Sequence, residues 1–304
     1  MGVNGRAGVA VLLVIVFLGS MWLQGNLQDF WRPCPKEHTQ IQTPGGLNTS
    51  DDGSGEEAID DLFLRECPGQ DFQVSQLVSH LRAALDPGTD VLMQPYLSSW
   101  DELIKFLNAL GPMVGLISQE IKDKTGLIRE LAQQDMESRG GCDQGARCLG
   151  SGAPTRGLQT DEGSYHSVRS MITAELQSGL VDFHQLTSSG CRTLLRLHRA
   201  LLWLRLFLQK LGESPPPGGR ARSPSDLCRE AYQESLSRHH TWLVRRAVEL
   251  AFIAIPDRTY FFRLVCVQNQ QGATLVLNKV VRAITEVYAR TEVALEEHGM
   301  LDLP

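Results

Sequence analysis

The sequence predicts an all-α fold. From Asp71 onward apolar side chains recur at three- and four-residue spacing, and no alternating apolar/polar run is sustained long enough to make a strand. Clusters of Gly, Pro and Ser then divide that pattern into about eight helices.

Val74, Leu77, Val78, Leu81 and Leu85 form the first stripe, closed by Asp86-Pro87-Gly88. Ser99-Trp100-Asp101-Glu102 reads as a capping box opening a helix with Trp100, Leu103, Ile104, Leu107 and Leu110 inward, and Gly111-Pro112 ends it. A third helix runs from Met113 to Met136 and stops at Arg139-Gly140-Gly141. Residues 138–163 are rich in glycine and poor in large apolar side chains, hence a loop. A helix over Tyr165–Leu186 follows, then one over Ser189–Leu211. Ser214-Pro215-Pro216-Pro217-Gly218-Gly219 is a linker, after which helices are expected over 225–238, 240–254, 258–268 and 272–298, with Pro256 separating two of them. There is no internal repeat.

The domain does not fill the chain. Arg6 precedes an uncharged apolar run, Ala7–Leu23, so residues 1–25 read as a signal peptide or a signal anchor, with a cytoplasmic N-terminus and a lumenal remainder. The run lacks a clear small-x-small cleavage site, and removal and retention both stay open. Residues 26–70 read as an acidic flexible linker, leaving 71–304 as the folded domain. Residues 45–66 carry seven acids against Arg65 alone, an excess of six that equals the net charge of −6. The domain is therefore near neutral, which with no RNA-recognition or zinc-finger signature argues against nucleic acid as a partner. Seven cysteines (Cys34, Cys67, Cys142, Cys148, Cys191, Cys228, Cys266) suit a lumenal chain with one or more disulfides and at least one free thiol. Cys142 and Cys148 lack the second Cys/His pair of a structural zinc site, and no metal is expected. Asn48-Thr49-Ser50 is a glycosylation acceptor, effective only if lumenal.

Three helices carry charge where apolar side chains belong. In Ser189–Leu211, Arg192, Arg196, Arg199 and Trp203 share one face of a leucine-rich helix. Such a stripe suits a solvated face, or else an anion, since an unpaired buried guanidinium costs several kcal/mol. In the third helix Lys124 interrupts the stripe Ile117, Ile121, Ile128, Leu131, with Glu120 one turn before it; an ordinary i,i+4 surface pair explains this equally well. His239-His240-Thr241-Trp242 heads a further helix, where His240 reads as structural or as a ligand contact, and Trp242 as core or as a membrane-interface residue. If these helices converge, Glu120, Lys124, Arg192, Arg196 and His240 make a polar cap over an apolar interior, a site suited to an amphiphile.

Several motifs, in order, carry a resemblance. Pro95-Tyr96-Leu97 with Trp100, Phe106-Leu107-Asn108-Ala109-Leu110-Gly111, Ser189-Gly190-Cys191-Arg192-Thr193, Leu197-His198-Arg199-Ala200-Leu201, Trp242-Leu243-Val244-Arg245-Arg246-Ala247-Val248 and the terminal Leu301-Asp302-Leu303-Pro304 resemble the glycolipid transfer protein family, most closely its ceramide-1-phosphate-binding branch. The resemblance spans about residues 71–304. It implies a two-layer helical sandwich enclosing one sphingolipid, carried between membranes without chemical change and without a cofactor. By the same resemblance Lys124, Arg192 and Arg196 take the phosphate, Glu120 and His240 the ceramide amide and hydroxyl, and Trp242 docks on the bilayer. Sugar-binding members place a stacking Trp at the position of Arg196, whereas a guanidinium matches a phosphate bidentately.

Two departures from the family pattern bear on affinity. The acidic anchor is Glu120 where the family has Asp, and the connection Phe183-His184-Gln185-Leu186 lacks an arginine that phosphate-binding members carry. One charged hydrogen bond fewer, at roughly 1.5–3 kcal/mol, corresponds to an order of magnitude or more in affinity. The sequence implies a monomeric carrier working at membrane surfaces, with ceramide-1-phosphate or a related sphingolipid as cargo. A membrane-tethered lipid sensor with little exchange is the alternative. No nucleophile elbow, His-Glu-x-x-His or phosphate-cradling glycine loop is present, so an enzyme is not expected. Residues 7–23 and the cysteines point to the secretory pathway, as a secreted or membrane-anchored protein, whereas related family members suggest the cytosol.

Overall fold

A computed structural model describes residues 66–140, 163–185, 187–215 and 218–303. The described elements are α1 (Val74–Ala83), α2 (Met93–Ala109), α3 (Pro112–Gly140), α4 (Val168–Gln177), α5 (Gly190–Gly212), α6 (Pro224–Glu234), a 3-10 turn (Ser237–His239), α7 (Trp242–Ile253), α8 (Arg258–Leu264) and α9 (Gln270–Glu296). Only isolated bridges, Leu85 with Val91 and Leu92 with Ser167, occur besides helices among these residues. The all-α class is the observed one. The apolar segment 7–23, Cys34, Asn48, Cys142 and Cys148 lie outside the described residues.

Two helices differ from their sequence pattern. α2 begins at Met93, and Ser99 lies inside it with its hydroxyl donating to the Tyr96 carbonyl at 2.7 Å, so Ser99 is not a cap. The pattern misled because Ser99 and Glu102 have capping-box spacing, although the helix starts six residues earlier, with Pro95 in a first turn where a proline forfeits no intrahelical hydrogen bond. The helix expected over Tyr165–Leu186 is only α4. It opens with a reciprocal Ser167/Ser170 capping box and ends before Gly179, whose φ of +69° no β-carbon-bearing residue adopts cheaply.

Two compact units are distinguished, each taken by itself: His240–Leu250 is the described part of one, and Phe63–His239 with Ala251–Pro304 forms the other. In the larger unit α5 is the central helix, packed against α9, α6, α3 and α4, while α1 packs on α2 and α9. Its leucines explain that position: Leu194, Leu195, Leu197, Leu201, Leu204, Leu208 and Leu211 are all buried. At about 1.5–3 kcal/mol per buried aliphatic side chain, this helix anchors the core. An aromatic chain continues from it, Phe207 to Phe261 (centroids 5.6 Å apart), Phe261 to Phe106 (6.2 Å) and Phe106 to Phe72 (5.2 Å). A disulfide joins Cys67, ahead of α1, to Cys266, between α8 and α9, with Cα atoms 5.7 Å apart. Cys191 and Cys228 are buried free thiols.

Candidate functional site

The site is built outward from the N-terminus of α5. Ser189 caps it by accepting from the Arg192 amide at 3.2 Å, and the Glu175 carboxylate of α4 accepts from the amides of Gly190 (2.6 Å) and Cys191 (2.9 Å). Glu175 is 1% exposed, and its charge is held by those two amides, by the positive end of the α5 dipole and by the Tyr165 hydroxyl at 2.8 Å. Burial first, then the Glu175 carboxylate, pushes the Tyr165 hydroxyl and the Cys191 thiol above their ordinary values. A β-carbon on Gly190 would lie 2.7 Å from both Glu175 Oε1 and Met171 Sδ, so a larger residue here displaces the carboxylate from the amides it holds.

Arg192 follows directly and is 3% exposed. Its guanidinium donates to the carbonyls of Asp182 and Gln185, and to Thr187 Oγ1 at 3.3 Å. The connection between α4 and α5 thus wraps its backbone oxygens around Arg192. Asp182 sits in the same turn, its carboxylate accepting from the amides of His184 and Gln185, which lowers its pKa. One turn along α5, Arg196 is exposed, and its side chain has no hydrogen-bond or ion-pair partner among the described residues. Arg199 donates to the Leu301 carbonyl at 2.7 Å. Burial lowers its pKa, Asp302 opposes this, and Arg238 and Arg196 add to it, so three guanidiniums and one carboxylate share a local field.

On α3 the predicted pair is present. Lys124 Nζ donates to Glu120 Oε1; the lysine side chain is 18% exposed and the glutamate 69%. Lys124 is therefore lodged toward the helix packing while Glu120 stands at the open edge, the geometry of an i,i+4 surface pair. α3 packs against α5, but no hydrogen bond or ion pair joins Glu120 or Lys124 to Arg192 or Arg196.

His240 and Trp242 belong to the unit His240–Leu250. There Trp242 opens α7 63% exposed, with the Arg246 guanidinium 5.8 Å from its ring centroid, and Leu243 and Leu250 are exposed as well. His240 is half-buried in the turn ahead of α7. Among the described residues no helix is long and apolar enough to cross a membrane, and no group of three His, Cys, Asp or Glu could hold a metal ion.

Sequence reasoning missed Glu175 and His198. Glu175 carries no signal, because a lone acid on a short helix reads as solvated surface. His198 stacks on Tyr288 (centroids 4.0 Å apart) with neither ring nitrogen hydrogen-bonded to a described residue. Burial, with Arg199 beside it, pushes its pKa down to about 3.

Residues 91–267 match the family described as Glycolipid transfer protein (GLTP). The human ceramide-1-phosphate transfer protein is 35% identical over 236 residues, 77% of this chain and 97% of that protein. Its structure in complex with 2:0 ceramide-1-phosphate matches 76% of this chain and 98% of its own with a TM-score of 0.62. The mouse ceramide-1-phosphate transfer protein in its apo form matches at 32% identity over 77% of this chain and all of its own, with a TM-score of 0.63. With the family matched over more than half its length and relatives covered almost end to end, the chain belongs to the glycolipid transfer protein family.

Proposed function

We propose that this protein binds ceramide-1-phosphate and moves it between membranes without chemical change. The observation that carries this reading is Arg196, an exposed guanidinium without a partner among the described residues, one turn beyond the buried Arg192 on a leucine-rich helix, in a chain 35% identical to the human ceramide-1-phosphate transfer protein. A phosphate monoester offers the planar guanidinium two oxygens and more than one negative charge, which a sugar does not. Arg192, held by loop carbonyls, has no carboxylate among those acceptors to displace, and Lys124 can exchange the exposed Glu120 for phosphate. Glu120 is then released toward the ceramide amide, with His240 as the second amide or hydroxyl partner. Trp242, Leu243 and Leu250 give α7 an exposed apolar edge beside Arg245 and Arg246, a composition suited to docking on a lipid headgroup layer.

The test is transfer of ceramide-1-phosphate between vesicles by Arg196→Leu. Losing a charged contact of about 1.5–3 kcal/mol lowers headgroup affinity at least tenfold, and transfer falls with it. Wild-type transfer by this variant, with the fold intact by circular dichroism, removes the basis of the assignment.

The same reading extends to the whole chain: residues 1–25 direct it into the secretory pathway, 26–70 link, and 71–304 carry lipid at membrane surfaces as a monomer. The Cys67–Cys266 disulfide supports an oxidising compartment. Glycan release with N-terminal sequencing tests this placement. Asn48 is expected to be glycosylated in secretory cells; an unmodified Asn48 with Met1 or Gly2 at the N-terminus of a cytosolic fraction refutes the lumenal assignment.

A further inference from the structure

We infer that the Cys67–Cys266 disulfide is a redox-sensitive latch on the apolar cavity that takes the lipid's hydrocarbon chains, an inference that rests on the lipid-carrier reading. The cavity is lined by Phe72 and Val74 at the start of α1, Leu103 and Phe106 on α2, Val265 after α8, and Leu277 on α9. Its volume of about 10 Å³ is room for about one water molecule. Ligand pockets run to about 300–1,000 Å³, so a hydrocarbon chain enters only if these walls part.

The disulfide ties two of the walls together at their rims. Cys67 stands five residues before Phe72, and Cys266 directly follows Val265. The hydrogen bonds of Gln70 and Gln73 at this seam are ties of a different kind. Gln70 Nε2 donates to the Leu264 carbonyl at 2.8 Å, and Gln73 clasps the strap itself, accepting from the Cys67 amide at 2.7 Å and donating to the Cys67 carbonyl at 2.8 Å. Hydrogen bonds of this sort exchange with water as the strap moves. A disulfide holds its Cα atoms within about 4.4–6.8 Å of one another and does not yield.

With the bond closed, the Cys67 and Cys266 ends of the walls stay together, so the walls part only as far as the remaining lining allows and a short acyl chain is accommodated in preference to a long one. Reduction frees it. An external dithiol attacks the disulfide through a mixed intermediate and supplies two electrons and two protons; the Cys67–Cys266 S–S bond breaks, two thiols form, and the dithiol closes to its own disulfide. The other described cysteines do not compete, because burial of Cys191 and Cys228 pushes both thiols up and keeps them protonated.

The experiment uses the full chain, with the Cys67–Cys266 linkage verified by mass spectrometry of unreduced peptides. Vesicle-to-vesicle transfer of 2:0 and 12:0 ceramide-1-phosphate, the two forms held by the human relative, is compared with and without dithiothreitol. Reduction is expected to raise the 12:0-to-2:0 rate ratio by about fivefold or more, the lower end of ordinary coupling between two sites. Cys67→Ser/Cys266→Ser is expected to show the high ratio without reductant and no response to it. Cys266→Ala alone gives the same result and serves where the double variant folds poorly. An unchanged ratio, a response that persists in these variants, or absence of the linkage overturns the latch. Failure to transfer either lipid in every form overturns the carrier reading instead, a separate outcome.

Discussion

His198 shows how one side chain can set a pH limit for the whole domain. It is buried, stacked on Tyr288 and beside the Arg199 guanidinium, while Arg205 lies 5.4 Å from the Tyr288 ring centroid. Tyr288 donates to Glu292 at 3.1 Å, and burial with that carboxylate pushes its own pKa up to about 12, so the ring beneath His198 stays neutral. Protonating His198 would bury a positive charge beside Arg199, with neither ring nitrogen hydrogen-bonded to a described residue. Because its folded pKa is about 3 against 6.5 in a model peptide, the unfolded chain takes up a proton that the folded chain refuses between those values. Stability therefore falls as pH drops through that window, by an amount on the order of 4 kcal/mol across the whole of it. His198→Phe keeps the stack and the volume but removes the titration. Urea unfolding at pH 7, 5.5 and 4.5 is expected to show the wild type losing stability stepwise and the variant losing distinctly less; parallel curves would show that other groups set the acid limit.

The N-terminus of α5 repeats the lesson at the scale of an element, where position matters more than residue type. Two amides, one helix dipole and one phenol converge on Glu175, and each hydrogen bond to a buried charge is worth about 1.5–3 kcal/mol. Gly190 makes this possible by letting α4 approach. Gly190→Ala forces Glu175 and Met171 to give way and is expected to cost about 1–3 kcal/mol in urea unfolding. Transfer should fall as well, since Arg192 lies two residues on; an unaffected variant would mean that α4 shifts freely. This arrangement was half legible in the sequence. The span Ser189–Leu211 and the leucines around its arginines mark a long, largely buried helix, whereas the cap at Ser189 shows only in the structure. Glu175 is invisible there, because what buries it is the way α4 folds back onto the N-terminus of the next helix, a close approach that apolar spacing does not encode. The start of α2 and the length of α4 were misread for a related reason. The Ser99/Glu102 spacing is cap chemistry that lies inside a helix already begun, whereas Ser167 and Gly179 set real boundaries inside a stretch whose apolar spacing alone suggested one long helix. The Glu120–Lys124 pair was legible with two readings left open, an inward charge pair or an ordinary surface pair, and the fold, with Glu120 exposed and Lys124 lodged against the packing, has the geometry of the second.

At the scale of the molecule, the question is which parts of the chain the lipid-carrying function requires. The human relative is covered over 97% of its length by 77% of this chain, so nearly a quarter of this protein has no counterpart in a complete carrier. The described core accounts for the rest: its aromatic chain ends at Phe72, its strap is fixed by Cys67, and the cation-bearing helix lies at its centre. A chain beginning at Glu66 retains all of these, the Cys67–Cys266 disulfide included. We therefore expect it to unfold in one cooperative transition and to transfer ceramide-1-phosphate between vesicles at least as fast as the full chain. If residues 7–23 hold the full chain at one membrane, the two forms will part company in flotation: the full chain will rise with vesicles in high salt, and the shortened chain will remain in the dense fraction. Equal flotation would remove the anchor from the account while leaving the carrier intact. Loss of transfer in a well-folded shortened chain would instead mean that residues 1–65 take part in carriage itself, a role that nothing in the relatives' architecture supplies.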